Sequence, residues 1–239
     1  MKVIGVIPSR LASTRLPRKP LVSIAGKSMV ERVYDGGRGS TRLSRLIVAT
    51  DAPEIYEHCR ARGMDVEMTS SDHVSGTDRI REIAARFPAD VYVNVQGDEP
   101  MVTAAHVDAL LSLFRSPEVA ISTLALPLDA AAAGDPNTVK VVTRLDGRAL
   151  YFSRAAIPFD RDRSGPEYRK HLGFYAYRRD ALERFAALPA SPLEIAERLE
   201  QLRFLENGID IHVAESPSDT WSVDTAEDLT RVERHFFER

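Results

Sequence analysis

One cysteine in 239 residues excludes a disulfide framework and any thiolate metal centre, since each needs at least a second sulfur. That thiol, Cys59, falls in a stretch with helical spacing over residues 54–62 and is expected to pack as a small apolar side chain. No apolar run approaches the roughly 18 residues a membrane-spanning helix needs. The opening MKVIGVIP is too short an apolar stretch for a secretory leader, so a cytoplasmic chain with no membrane partner is expected. A net charge of only −3 gives no overall field of the kind a nucleic-acid binder presents. Glycine is missing from the first loop, where none occurs between Gly5 and Gly26. That loop is therefore neither a P-loop nor a G-x-G-x-x-G turn.

What is present is an ordinary soluble balance, 44% hydrophobic and 28% charged, in a length that suits one large α/β domain with an excursion. Residues 3–7 form a short β-branched run ended by Pro8 and read as a buried first strand. Ser28 and Glu31 have capping-box spacing, so a helix should begin at Met29 and stop at Gly36, Gly37 and Gly39. Strands at 46–50, 65–68, 91–95 and 119–126 then alternate with helices at 54–62, 77–86 and 104–114. This is the rhythm of a mainly parallel, doubly wound sheet over residues 1–126. Residues 127–215 break it with turn-rich strands at 139–143, 150–152 and 172–177, a helix capped by Ser191 and reaching Leu205, and a strand at 209–213. Residues 216–239 hold a last helix from Ala226 to Phe237.

In such sheets ligands sit beyond the carboxyl ends of the strands, and four segments there carry chemistry. The loop holding Arg10, Arg15, Arg18 and Lys19, with the hydroxyls of Ser13 and Thr14, suits a polyphosphate: arginine forks and a lysine point charge offset phosphoryl charge. A solvated basic loop explains the composition equally well. Residues 69–79 bring small hydroxyls and Gly76 to a helix start whose free amides suit a nucleotide base, or merely cap the helix through Ser75 or Thr77. His73 reads as structural. Asp98 follows a central strand beside Gly97 and is placed for magnesium, which takes one or two carboxylates plus substrate phosphates, or else it or Glu99 caps the next helix. Asp224 stands between a strand and the last helix, where Asp224 and Glu227 also have simple N-cap and N3 spacing. Only a partner such as Asp98 makes it a second metal ligand.

Taken in order, IPSRLASTRLPRKPL (7–21), SSDHVSGTDR (70–79), NVQGDEPM (94–101), DPNTVKVV (135–142), ALYFSRAAIP (149–158), HLGFYAY (171–177), LEQLRFLENG (199–208) and VDTAEDL (223–229) resemble the 3-deoxy-manno-octulosonate cytidylyltransferase (CMP-Kdo synthetase) family over nearly the whole chain. The resemblance implies a three-layer αβα fold of the nucleotide-diphosphosugar-transferase type, mainly parallel, with a β-rich dimerisation excursion. It also implies a magnesium-dependent homodimer that moves CMP from CTP to Kdo and serves lipopolysaccharide synthesis. By similarity Arg10, Arg15 and Lys19 hold the triphosphate, Ser75, Gly76, Arg79 and Gln96 meet the nucleotide, and Asp98 and Asp224 carry Mg²⁺, with Arg10, Lys19 and both acids forming the catalytic set. Gln96, Arg154, His171, Tyr175, Glu200 and Gln201 line the acceptor site. Four departures stand out: Arg18 in place of a usual glycine, Ser9 for alanine, Ser28 for proline, and Trp221-Ser222 where a glycine is usual. Arg18 is expected to add positive charge beside the triphosphate. With Trp221-Ser222 it leaves open another small anionic acceptor, an amino-Kdo, a nonulosonate or a phosphonate such as phosphonoformate. A non-catalytic nucleotide-binding module is opposed by the complete set of cations and acids.

Overall fold

The computed structural model describes residues 1–11, 15–73 and 75–238, which fall into two compact units. Residues 1–108 with 220–239 form the first and residues 109–219 the second.

The first unit opens with β1 (Val3–Ser9), whose residues Ile4, Val6 and Ile7 have no exposed surface. A 3-10 turn at Lys19–Leu21 and a small ribbon of β2 (Ser23–Ile24) and β3 (Lys27–Ser28) follow. Helix α1 (Met29–Gly37) starts from the expected capping box, Ser28 Oγ accepting from the Glu31 amide and Glu31 answering to the Ser28 amide. Next come β4 (Arg45–Thr50), α2 (Pro53–Arg60), β5 (Val66–Met68), α3 (Gly76–Arg86), β6 (Val91–Asn94) and α4 (Ala104–Ser112). The strands pair in parallel in the order β6-β1-β4-β5. The chain thus winds outward from β1 through β4 to β5, then returns by α3 to the other side of β1. That reversal makes the β1/β6 carboxyl ends a topological switch point, where a crevice opens because the neighbouring connections leave in opposite directions. Cys59 is buried in α2, and burial pushes its thiol up to about 12, so it packs and does not ionise.

The closing helix, Ala226–Phe237, lays Val232, Leu229 and Phe236 against Leu16, Ile24, Met29 and Val223. Trp221 joins that cluster, its ring edge-on to His235 at 5.4 Å and beneath the Arg231 guanidinium at 5.1 Å. The large residue that departs from the usual glycine is thereby accounted for by packing.

The second unit is mostly antiparallel. Strands β7 (Ile121–Leu128), β8 (Lys140–Thr143), β9 (Ala149–Ser153) and β10 (Tyr168–Arg178) form a ladder in which β10 pairs with both β7 and β8, and β8 with β9; β11 (His212–Glu215) runs parallel to β7. Its core carries a run of rings, Phe152, His171, Tyr175, Tyr177, Phe204 and Phe185, each within 6 Å of the next between centroids.

Three expectations need correcting. Helix α5 (Arg179–Ala187) has no counterpart in the sequence reading. The single helix expected to reach Leu205 is two, α6 (Pro192–Glu197) and α7 (Leu202–Glu206), because Arg198 turns left-handed at φ 53° and breaks the ladder. Gly36 and Gly37 do not stop α1 but lie inside it.

Gly36 is there for space. A Cβ on it would sit 2.0 Å from the Val102 carbonyl oxygen. Alanine normally gains about 1 kcal/mol over glycine in a helix interior, but a contact that close forces the backbone apart. Gly36→Ala is therefore expected to destabilise the protein by about 2 kcal/mol or more, read as a lowered urea midpoint; an unchanged or raised midpoint refutes the contact.

Candidate active site

Strand β1 ends at Pro8-Ser9-Arg10, and β6 runs into Gln96-Gly97-Asp98; both open on a cleft of about 520 Å³. That volume suits a ligand of nucleotide size. Gly97 lets the two strand ends close up, since a Cβ there would lie 2.5 Å from the Pro8 carbonyl oxygen. Arg10, Arg15 and Lys19 line the cleft with Ser75, Gly76, Arg79, Gln96, Asp98 and Asp224, so every residue expected at the nucleotide and metal comes to one place. Ser13 and Thr14 of the first loop, and Val74 of the second segment, lie outside the described residues.

The centre of the cleft is an ion-pair network. Lys19 Nζ donates to Asp98 Oδ2 at 2.9 Å and to Asp224 Oδ1 at 2.8 Å, while an Arg15 amino group stands 3.0 Å from Asp224 Oδ2. Burial opposes the Lys19 charge, but the Asp98 carboxylate and the hydrogen bonds to both acids outweigh it and hold the ammonium above its ordinary range. The Val223 amide donates to the Asp98 carbonyl at 2.9 Å and ties the two acid-bearing segments together. Asp224 is not the cap of the last helix, contrary to the simpler reading of its spacing with Glu227. Thr225 caps, in a box with Asp228, because Thr225 is the residue with extended φ and ψ next to the first turn. Asp224 is left one residue outside the helix and turned to the cations.

The two carboxylates fit magnesium, which fills the rest of its shell from phosphates and water. Among the described residues no group of three or more His, Cys, Asp or Glu side chains gathers as a metal cage.

Other residues at the cleft are committed to its walls. Ser75 caps α3 in a box with Asp78. Arg79 is almost fully buried, donating to Asp51 Oδ2 at 2.6 Å, Thr69 Oγ1 at 2.5 Å and the Ser70 carbonyl at 3.2 Å, and so braces the segment that carries Ser75 and Gly76. His73 pairs with Glu82 at 2.7 Å.

In the second unit, His171 and Tyr175 come together with ring centroids 5.5 Å apart, both buried. Thr123 donates to the Phe174 carbonyl at 2.8 Å, which leaves the 2.9 Å contact to His171 Nε2 as one in which the imidazole donates. Burial pulls the His171 pKa down to about 3, and burial with the nearby Tyr177 and Glu200 raises the Tyr175 phenol well above 10. Both therefore act as neutral groups. Gln201 is buried at the entry to α7, and Glu200 is half-buried beside it. Arg154 forms a separate group with Glu197, donating from Nε to its carbonyl and from the main-chain amide to its carboxylate, both at 2.9 Å. In the sequence Glu197 looks like any acid on a short helix, and the one signal at Lys140 is a lysine ahead of two valines in a strand.

A family described as cytidylyltransferase matches residues 4–211. The chain is 56% identical to 3-deoxy-manno-octulosonate cytidylyltransferase of Acidobacterium capsulatum over 240 aligned positions, covering all of this chain and 98% of that one. The chain belongs to the 3-deoxy-manno-octulosonate cytidylyltransferase family. The enzyme of that name from Koribacter versatilis is 55% identical over 98% of this chain and 89% of its own. A solved structure of CMP:2-keto-3-deoxy-manno-octonic acid synthetase complexed with CTP superposes with a TM-score of 0.96 at 42% identity, covering 100% of this chain and 99% of that one. As a member of this cytidylyltransferase family the protein is a nucleotidyltransferase, with the α/β architecture the motifs implied.

The expected place of Arg18 beside the triphosphate is corrected: its guanidinium pairs with Glu54 at the start of α2, and it does not line the cleft. Its φ of 57° is the left-handed region where glycine is at ease. Left-handed backbone costs an ordinary residue about 1–2 kcal/mol, whereas an exposed ion pair returns about 0–1. Arg18→Gly is thus expected to leave the melting temperature unchanged or raised and the KM for CTP within about twofold; a large rise in that KM returns Arg18 to the phosphate site.

His171 makes stability depend on pH. Between its ordinary value of 6.5 and about 3 the unfolded chain takes up a proton there that the folded chain refuses. Stability consequently falls as pH is lowered through this window, by up to about 1.4 kcal/mol per pH unit. His171→Gln, whose amide keeps a donor for Thr123, should flatten that acid limb in urea unfolding measured across pH; an unchanged slope removes His171 as its source.

Proposed function

We propose that this chain transfers CMP from CTP to 3-deoxy-manno-octulosonate, releasing pyrophosphate, in cytoplasmic supply of CMP-Kdo for lipopolysaccharide. The observation that carries the reading is the cleft at the β1/β6 switch point, where Arg10, Arg15 and Lys19 face Asp98 and Asp224. The whole-chain likeness to a CTP-complexed synthetase supports it.

Transfer of this kind needs little covalent help from the protein. An acceptor hydroxyl forms a bond to the α-phosphorus in line with the departing pyrophosphate, and negative charge grows on the bridging oxygen as that bond breaks. Arg10, Arg15 and Lys19 supply fixed positive charge where it grows, and Ser75 and Gly76 present a helix N-terminus to the nucleotide. Asp98 and Asp224 would hold Mg²⁺, which neutralises polyphosphate charge and makes a coordinated hydroxyl more acidic. Lys19, bonded to the same two acids, stands where it would also meet the phosphates of a bound nucleotide.

For the acceptor, Arg154 supplies a counter-charge to a carboxylate and Glu200 and Gln201 supply partners for hydroxyls. Buried His171 and Tyr175 set the shape behind them. Kdo is favoured over other anions because the two departures that left them open have other roles: Arg18 is held by Glu54, and Trp221 packs on the last helix. Homodimerisation accords with exposed Leu150, Phe159, Leu193 and Ile195 in the second unit. Among the described residues no helix is long and apolar enough to cross a membrane.

Pyrophosphate release from CTP with purified protein, Mg²⁺ and Kdo tests the activity, and a panel of amino-Kdo, nonulosonate and phosphonate acceptors tests the substrate. Asp98→Asn and Asp224→Asn should each lower turnover by a factor of about 100 or more. Turnover within tenfold of the parent in either variant refutes the shared-metal reading, and release independent of Kdo refutes the acceptor.

A further inference from the structure

Lys140 has no exposed surface, yet no step above uses it. It opens β8, paired with Ser153 of β9 and Lys170 of β10. Its ammonium donates to three main-chain carbonyls: Asp135 at 2.8 Å, Thr138 at 2.6 Å and Arg154 at 2.6 Å. An ammonium has three N–H groups, and all are spent, none on an acid.

The three carbonyls belong to one circuit. Asp135 and Thr138 bound a tight turn, closed by the Thr138 amide on the Asp135 carbonyl at 3.2 Å and by the Asn137 amide on Asp135 Oδ1 at 2.8 Å. Arg154 sends Nη1 back to that turn, to the Pro136 carbonyl at 2.9 Å, and Nε to the Glu197 carbonyl. Glu197 accepts in return from Ser153 Oγ at 2.6 Å and from the Arg154 amide. Arg154 is held by its main chain on Lys140 and Glu197, and by its side chain on the turn that Lys140 itself organises. Two of the five guanidinium N–H groups fix its place, which leaves a pre-aimed fork for an anion.

We propose that Lys140 is a positioning residue for acceptor recognition, a buried ammonium that fixes the 135–138 turn and Arg154 so that the guanidinium meets the acceptor carboxylate in one orientation. This rests on the reading of Arg154 as an acceptor contact. A methionine of similar length keeps the stem and the volume but takes the ammonium's donor from all three carbonyls, leaving the Asp135 carbonyl only the Thr138 amide. Arg154 then keeps its amide on Glu197 but loses the hold on its carbonyl and the fixed partner of Nη1, and a misplacement on the ångström scale is enough to be felt in catalysis.

The experiment compares Lys140→Met, Lys140→Gln, Arg154→Gln and the Met/Gln double variant in the full chain, measuring KM for Kdo and for CTP separately, with circular dichroism to confirm folding. Lys140→Met and Arg154→Gln should each raise the KM for Kdo on the order of 10- to 100-fold with the KM for CTP within about threefold. Lys140→Gln, which restores two donors, should fall between parent and Met; it also serves should the Met variant fail to fold. The double variant should be no worse than Arg154→Gln alone, because one residue acts through the other. An unchanged KM for Kdo in Arg154→Gln overturns the reading of Arg154. A raised one there with an unchanged one in the Lys140 variants overturns Lys140 alone, as do equal rises for both substrates or additive effects in the double variant.

Discussion

Two ionised aspartates at one point of a cleft repel each other unless something positive stands between them. In this protein that something is the Lys19 ammonium, within 3 Å of Asp98 and of Asp224. Acids that a divalent metal can take are kept together, and a cation that a polyphosphate can take is kept among them, each neutralising the other. Because the ammonium is mostly buried while the carboxylates are about one-third exposed, the pair is more than a surface bridge worth little. It also stops short of a sealed ion pair, whose charges could not be exchanged without a large desolvation cost.

Several local features serve that point. The return of the chain through α3 to β6 opens the crevice beside β1, and Gly97 removes the Cβ that would strike Pro8 as Asp98 is brought over. The Val223 amide joins the far segment to the Asp98 carbonyl. The capping box of Thr225 and Asp228 then starts the last helix one residue late, which releases Asp224. None of these is chemical in itself. Each restricts where one of three charged side chains can go.

What the sequence disclosed and what it withheld divide along range. Local signals were legible: the capping box at Ser28, the buried β-branched run of β1, and the alternation that winds the first unit all express contacts within a few residues. Cations clustered in one loop were legible as a phosphate site only in company with the later motifs, since basic composition alone describes a solvated loop equally well. Asp224 was ambiguous because N-cap and metal-ligand spacings coincide there, and backbone angles at Thr225, absent from a sequence, decide between them. Arg18 was misplaced for the same reason. A charge in a basic loop looks like part of the phosphate site until its left-handed backbone turns it towards Glu54. The break at Arg198 and the role of Glu197 depend on tertiary partners and leave no periodic trace.

Lys19 and Lys140 show how one side chain serves opposite ends when its acceptors differ. Lys19 faces two full negative charges, and its own charge is held in place by them. Lys140 donates only to carbonyl dipoles, and burial outweighs the Asp135 and Glu197 carboxylates nearby and draws its pKa below the ordinary lysine range. The first ammonium sits between carboxylates that are themselves about one-third exposed, so its partners stay open to solvent and to other ions. The second has no such freedom: three carbonyls from separate points of the chain converge on it, and moving the ammonium would undo the turn and the strand end together. A charge among charges is suited to chemistry. A charge among dipoles is suited to holding backbone still, and the residue it holds, Arg154, is the one whose planar fork gains most from being held.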